Sequence, residues 1–167
     1  AGSQRGELAV ARGCRGLRAL RPVLIGVGKR HARRRQLAEV LEQVGRVTAA
    51  EMAPTGIHWT FSPVLCITRD LRWGRVGETF GEDPHLIGEL GAAMIRGYQG
   101  DGLTDERAIL ATAKHFAGYS ETQGGRDASE ADLSHRKLRS WFLPPFERVA
   151  REGCGTFMLG YQTTDGV

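Results

Sequence analysis

The stretch AILATAKHFAGYSETQGGRD (residues 108–127) decides how this chain is read. It begins as an apolar run of strand character and ends in Gly, Ser and polar residues, with Lys114 and His115 side by side at the change. Adjacent side chains on a regular strand point to opposite faces. Both can therefore reach one ligand only where the strand has ended or its backbone is distorted. The sequence predicts a bulge or an irregular peptide, cis included, at 113–116, of the kind that gathers at functional sites.

On either side of this stretch the chain alternates. Upstream, RPVLIGVG (21–28) reads as a short strand, and RQLAEVLEQVGRVTAAEM (35–52) places Leu37, Val40, Leu41, Val44 and Val47 at helical spacing. GIHWTFSPVLCI (56–67) is rich in β-branched and aromatic residues. DPHLIGELGAAMIRGYQG (83–100) reads as a helix with Pro84 in its first turn. Downstream, SHRKLRSWFLPPFERVAREG (134–153) is a helix capped by Ser134 and interrupted near Pro144-Pro145, and GTFMLGY (155–161) is a fourth strand. The order β-α-β-α-β-α-β is that of an α/β fold, with about four parallel strands and three crossover helices. A flavodoxin-like open sheet and part of a (β/α)8 barrel both fit, and in either a ligand gathers at the C-terminal ends of the strands.

The 167 residues are enough for one domain with a real core, and the composition is that of an ordinary globular chain. No apolar stretch is long enough to span a membrane. The opening AGSQRGELAV lacks the pattern of a signal peptide, which favours a cytoplasmic location. Cys14, Cys66 and Cys154 are odd in number and without metal-ligand spacing, so they read as incidental thiols, and neither metal nor organic cofactor is expected. The charge is divided unevenly. Residues 1–36 carry nine Arg and one Lys against one Glu, a net +9, whereas the remainder carries 13 basic and 18 acidic side chains, a net −5. The basic run KRHARRR (29–35) has no aromatic residue among its charges to stack bases, so a nucleic-acid partner is not expected. GVGKRH lacks the third glycine of a dinucleotide fingerprint, and no G-x-S-x-G or H-E-x-x-H occurs.

The polar segment RDLRWGRVGETFGEDP (69–84) follows the 56–67 strand and gathers Arg, Trp and acids at a strand end. From about Thr48 onward, RWGR, E-x-F-GEDP and KHF at these spacings closely resemble the N-terminal barrel domain of family 3 glycoside hydrolases, the β-glucosidase and β-xylosidase group. The resemblance implies a TIM-like barrel and a retaining, exo-acting hydrolase of terminal non-reducing β-D-glucosyl or xylosyl residues. It implies that Arg75, Lys114 and His115 hydrogen-bond the hydroxyls of the terminal sugar, with Tyr161 near it and with Trp73 and Glu78 bracing the arginine loop. The substrate would be a β-glucoside or oligosaccharide.

Retaining enzymes use a nucleophile and an acid/base about 5–5.5 Å apart. The family's SDW-like aspartate and its acid/base glutamate have no counterpart here, so no catalytic residue is assigned and this chain alone is expected to be inactive. The alternative is a non-catalytic half-barrel that binds sugar or pairs with the missing half. Cys66 stands where many members have Asp. Residues 1–36 contain no Asp-x-x-His-Gly stretch, and with the charge break they read as a shifted frame or a fusion, leaving 37–167 as the N-terminal half of the barrel domain.

Overall fold

The computed structural model describes residues 15–167, with side chains from residue 32 onward. The chain divides into two compact units, Ala1–Gln36 and Leu37–Val167. In the first unit the described residues are helical, as the start of α1 (Arg15–Met52). The strand expected at 21–28 is therefore not formed. An unbroken apolar run carries no period that separates strand from buried helix, and here it is flanked by Arg, Leu and Ala, all strong helix formers. Residues 1–14, with Cys14, lie outside the described residues.

The second unit holds the rest of α1, then α2 (Pro84–Gln99), β1 (Thr112–Phe116), α3 (His135–Lys137), α4 (Leu143–Arg151) and β2 (Thr156–Leu159). β1 and β2 pair in parallel, with Thr112 opposite Thr156 and Ala113 opposite Phe157. Two regular strands are formed where about four were expected among the described residues. The 56–67 segment does lie parallel along β1, through bridges Trp59–Leu110 and Val64–Lys114, but as extended chain. Pro63 explains the interruption: it has no N–H to give the ladder. Thr112 N donates to Ser62 O, Lys114 N to Pro63 O and Leu65 N to Lys114 O, so pairing continues around it.

One face of these three segments carries the helices. Leu65, Ile67, Ala111 and Ala113 pack with Ile87 and Ile95 of α2 and with Phe146 and Val149 of α4 in one buried cluster. Asp83 caps α2 by accepting from His85 N and Leu86 N, Pro84 opens it, and Gly100 closes it. Before α4, residues Leu138–Phe142 form a π-helical segment in which Leu143 N donates to Leu138 O. Pro144 and Pro145 follow and supply no N–H to Ser140 and Trp141, so the backbone widens there and restarts as α4.

Of the apolar stripe expected on α1, Leu41 packs partly buried against the core, and the rest does not. Leu37, Val40, Val44 and Val47 are exposed, while Gly45 and Ala49 are buried against α2. Gly45 and Gly97 let the two backbones approach: a Cβ on Gly97 would stand 2.3 Å from Glu42 O and 2.8 Å from Gly45 Cα. Alanine is intrinsically better than glycine in a helix by about 1 kcal/mol, so a loss in Gly97→Ala reports this crossing alone. The expected loss is about 1–3 kcal/mol by urea unfolding. A stability equal to or above that of the parent contradicts the close crossing.

Candidate functional site

The site is built by two loops, each following an extended segment at its C-terminal end. In the first, Asp70 accepts from Arg72 N and from the Arg72 guanidinium, Trp73 N donates to Asp70 O and Val76 N to Trp73 O. These turns lead into a 3₁₀ turn at Val76–Glu78 and sink Trp73 to 2% exposure. In the second loop, after β1, Tyr119 is buried and Asp127 accepts a hydrogen bond from Trp73 Nε1 at 2.8 Å. Tyr119 stands beside the same carboxylate and helps to keep it ionised. Gly125, at φ +77, lies directly on the first loop: a Cβ there would stand 2.5 Å from Arg72 Cβ and 2.9 Å from its carbonyl carbon.

Arg75 and His115 meet above this lock, with the Lys114 ammonium in the electrostatic field of Arg75 and Glu78. The Arg75 guanidinium grips Glu78 with two hydrogen bonds of 2.8 Å, lies 5.6 Å from the Tyr119 ring centroid and places Nη1 3.3 Å from His115 Nε2. The His115 ring tilts against Tyr119 at 4.5 Å. On its other side, His115 Nδ1 is 3.5 Å from Cys66 Sγ. The β1–β2 register shifts between Lys114 and Phe116, and the Lys114–His115 and Phe116–Ala117 peptides are cis, which is the irregularity expected from the sequence. Both side chains sit in the field of Arg75 and Glu78. Tyr161 follows β2 at the same end, next to Gly160, whose N–H donates to Phe116 O. It is 90% exposed and the structure does not bring it into contact with the other three.

The charges are arranged to keep donors available. Burial, then the positive charges of Arg75 and Lys114, push the His115 imidazole down to about 4, so it is neutral at pH 7. Burial and Arg75 also lower the Lys114 ammonium, while Glu78 opposes them. The Arg75 hydrogen bonds hold Glu78 below the usual carboxylate range. Burial alone would raise the Asp127 carboxyl, but hydrogen bonds from Trp73 and Tyr119 outweigh it. The Cys66 thiol is pushed up to about 11 by burial and stays protonated. Two cations and a neutral imidazole thus stand together, with both neighbouring carboxylates already committed. Such an array can donate to hydroxyls, and the two carboxylates beside it, Glu78 and Asp127, are held by Arg75 and Trp73. No trio of His, Cys, Asp and Glu among the described residues could hold a metal ion, and no described helix is long and apolar enough to cross a membrane.

The model of the glycosyl hydrolase family 3 N-terminal domain matches residues 13–167. The chain belongs to glycosyl hydrolase family 3. The match begins inside the Arg-rich segment, where the sequence showed no family text. A beta-xylosidase of Formosa agariphila is 42% identical over 133 residues, which are 77% of this chain and 18% of the relative. A periplasmic beta-glucosidase of Salmonella typhimurium is 34% identical over 128 residues, 77% of this chain and 17% of the relative. Among solved structures, a beta-glucosidase involved in saponin metabolism from intestinal bacteria superposes with a TM-score of 0.76 at 71% identity, covering 78% of this chain and 18% of that one. The Listeria innocua beta-glucosidase in complex with glucose gives 0.76 at 38% identity, with the same coverage. This family 3 chain thus spans less than a fifth of the length of each of these four relatives.

Tyr119 and Asp127 were not assigned from the sequence, although both lie in the quoted stretch. The signal available was their place in a long loop after a strand end, together with a buried Trp that needs an acceptor for its N–H. A pH dependence follows from His115. Its folded-state pKa lies below that of the unfolded chain, so unfolding takes up a proton between the ordinary His range near 6.5 and about 4. Stability falls as pH is lowered through that window and is unaffected by this group above it. The expected result is a smaller loss of urea stability from pH 7 to pH 5 in His115→Gln than in the parent chain; equal losses contradict the buried neutral imidazole.

Proposed function

We propose that residues 37–167 are the sugar-gripping first half of a (β/α)8 barrel domain in a retaining, exo-acting β-glycosidase that hydrolyses terminal non-reducing β-D-glucosyl or xylosyl residues. The observation that carries this reading is the convergence of Arg75, Lys114 and a neutral His115 at the C-terminal ends of parallel segments. A terminal sugar is a ring of hydroxyls, and charged donors aimed at them strengthen as the ring becomes oxocarbenium-like. The relatives' names, beta-glucosidase and beta-xylosidase, agree with that substrate class. Tyr161 belongs to the same reading as a fourth contact at the end of β2, and residues 1–36 as a segment distinct from the barrel.

The 167-residue polypeptide is inactive alone on this reading, because it carries no counterpart of the family's nucleophile and acid/base, and the acids near the site are engaged, Glu78 by Arg75 and Asp127 by Trp73. The pure chain is expected to release no chromophore from an aryl β-glucoside or β-xyloside. Turnover that disappears in Lys114→Ala contradicts the reading; turnover that survives in that variant marks a contaminating enzyme. Glucose is expected to shift the amide and side-chain resonances of Arg75, Lys114 and His115 saturably. Loss of a charge-assisted hydrogen bond is worth about 1.5–3 kcal/mol, so Lys114→Ala weakens that binding about tenfold or more. Absence of any saturable shift overturns the assignment of these residues to sugar.

A second reading, a half that pairs with another half to close the barrel, is favoured by the sheet face turned away from the helices. There Trp59 and Phe61 lie edge to face at 4.9 Å, both about half exposed, with Trp59 Nε1 donating to Thr112 Oγ1.

A further inference from the structure

We propose that Cys66 is a positioning residue that fixes the tautomer of His115, so that the ring carries its proton on Nδ1 and offers Nε2 as an acceptor. The proposal deepens the sugar-site reading above and rests on it for its functional meaning, though not for its geometry.

Arg75 decides the first step. A guanidinium has only donors, and its Nη1 lies 3.3 Å from His115 Nε2. Nε2 must therefore accept, and a neutral imidazole with a bare Nε2 carries its hydrogen on Nδ1. That hydrogen points at Cys66 Sγ, 3.5 Å away in a buried setting. The same sulfur receives the backbone N–H of His115 at 3.4 Å. The thiol hydrogen has one acceptor left in reach, the Lys114 carbonyl, 3.9 Å away. Every hydrogen in this chain then has a place: from Arg75 to Nε2, from Nδ1 and the His115 amide to sulfur, and from sulfur to the Lys114 carbonyl.

The chemistry of the thiol suits this task. Burial keeps it protonated, so it remains a donor as well as an acceptor, and it adds no charge beside Arg75 and Lys114. By binding the amide of one member of the Lys-His pair and the carbonyl of the other, it holds their shared peptide as well as the ring. A sugar hydroxyl that meets Nε2 in competition with Arg75 finds an acceptor. This directs its oxygen, as donor, toward His115 and leaves its lone pairs for the Lys114 ammonium and the Arg75 guanidinium.

The test is a long-range ¹H–¹⁵N correlation spectrum of the ¹⁵N-histidine-labelled chain at pH 7 without sugar, with the His115 signals assigned by His115→Gln. The expected pattern is a protonated-type Nδ1 and an unprotonated-type Nε2. The reverse pattern in the parent chain overturns the proposal outright, with no variant needed. Cys66→Ala leaves Arg75 as the one remaining bias, so it is expected to reduce the share of the Nδ1–H tautomer and to weaken glucose binding about tenfold, the scale of one or two lost hydrogen bonds. Cys66→Ser, which keeps a donor and an acceptor, is expected to restore the tautomer. An unchanged tautomer in Cys66→Ala means that Arg75 alone sets the ring, and the role of Cys66 falls. A parent chain that shows the expected tautomer but binds no glucose leaves the positioning intact and contradicts the sugar-site reading instead.

Discussion

The site depends on one hydrogen bond, from the buried Trp73 indole to the Asp127 carboxylate, with Tyr119 beside the same acid. Those three residues come from two loops that share no ladder with each other. Without the bond, the buried indole N–H would lack a partner, at a cost of about 1–3 kcal/mol. With it, Tyr119 is held as a floor on which the His115 ring and the Arg75 guanidinium both rest. Arg75 is then aimed from below by the ring, from one side by Glu78 and from another by His115.

The supporting sheet serves that arrangement. The 56–67 segment brings Cys66 beside the Lys114–His115 peptide and delivers Arg69 through Arg75 at its C-terminal end, while β1 delivers Lys114, His115 and Tyr119. Small residues set the helix layer: Ala111 and Ala113 face the helices with no exposed surface, and Gly97 meets Gly45 where α2 crosses α1. The site of this family 3 chain is therefore a cluster of Arg75, Lys114 and His115 supported by the Tyr119 ring and the Cys66 thiol.

Much of this was legible in the sequence, for identifiable reasons. Pro84 after Asp83 and the glycine at 100 framed α2. The side-by-side Lys114 and His115 required an irregular strand end, and the register does shift there. What misled was apolarity without context. RPVLIGVG has the length and composition of a strand, yet it lies inside α1. The valines of α1 have helical spacing, but spacing does not say which stripe is buried, and the close backbone crossing of Gly45 chose the other face. Pro63 turned a strand into an extended segment. The Trp73–Asp127 bond spans 54 residues, and no local pattern announces a partner at that distance.

The most direct test of this account is a double-mutant cycle on the lock itself. Trp73→Phe, Asp127→Ala and the pair together are compared by urea unfolding at pH 7. The expected result is a coupling of about 1–3 kcal/mol between the two sites, the value of a hydrogen bond from a buried donor to a charged acceptor. Additive losses, with no coupling beyond error, would show that the two loops are held by packing alone and that the site does not depend on this bond.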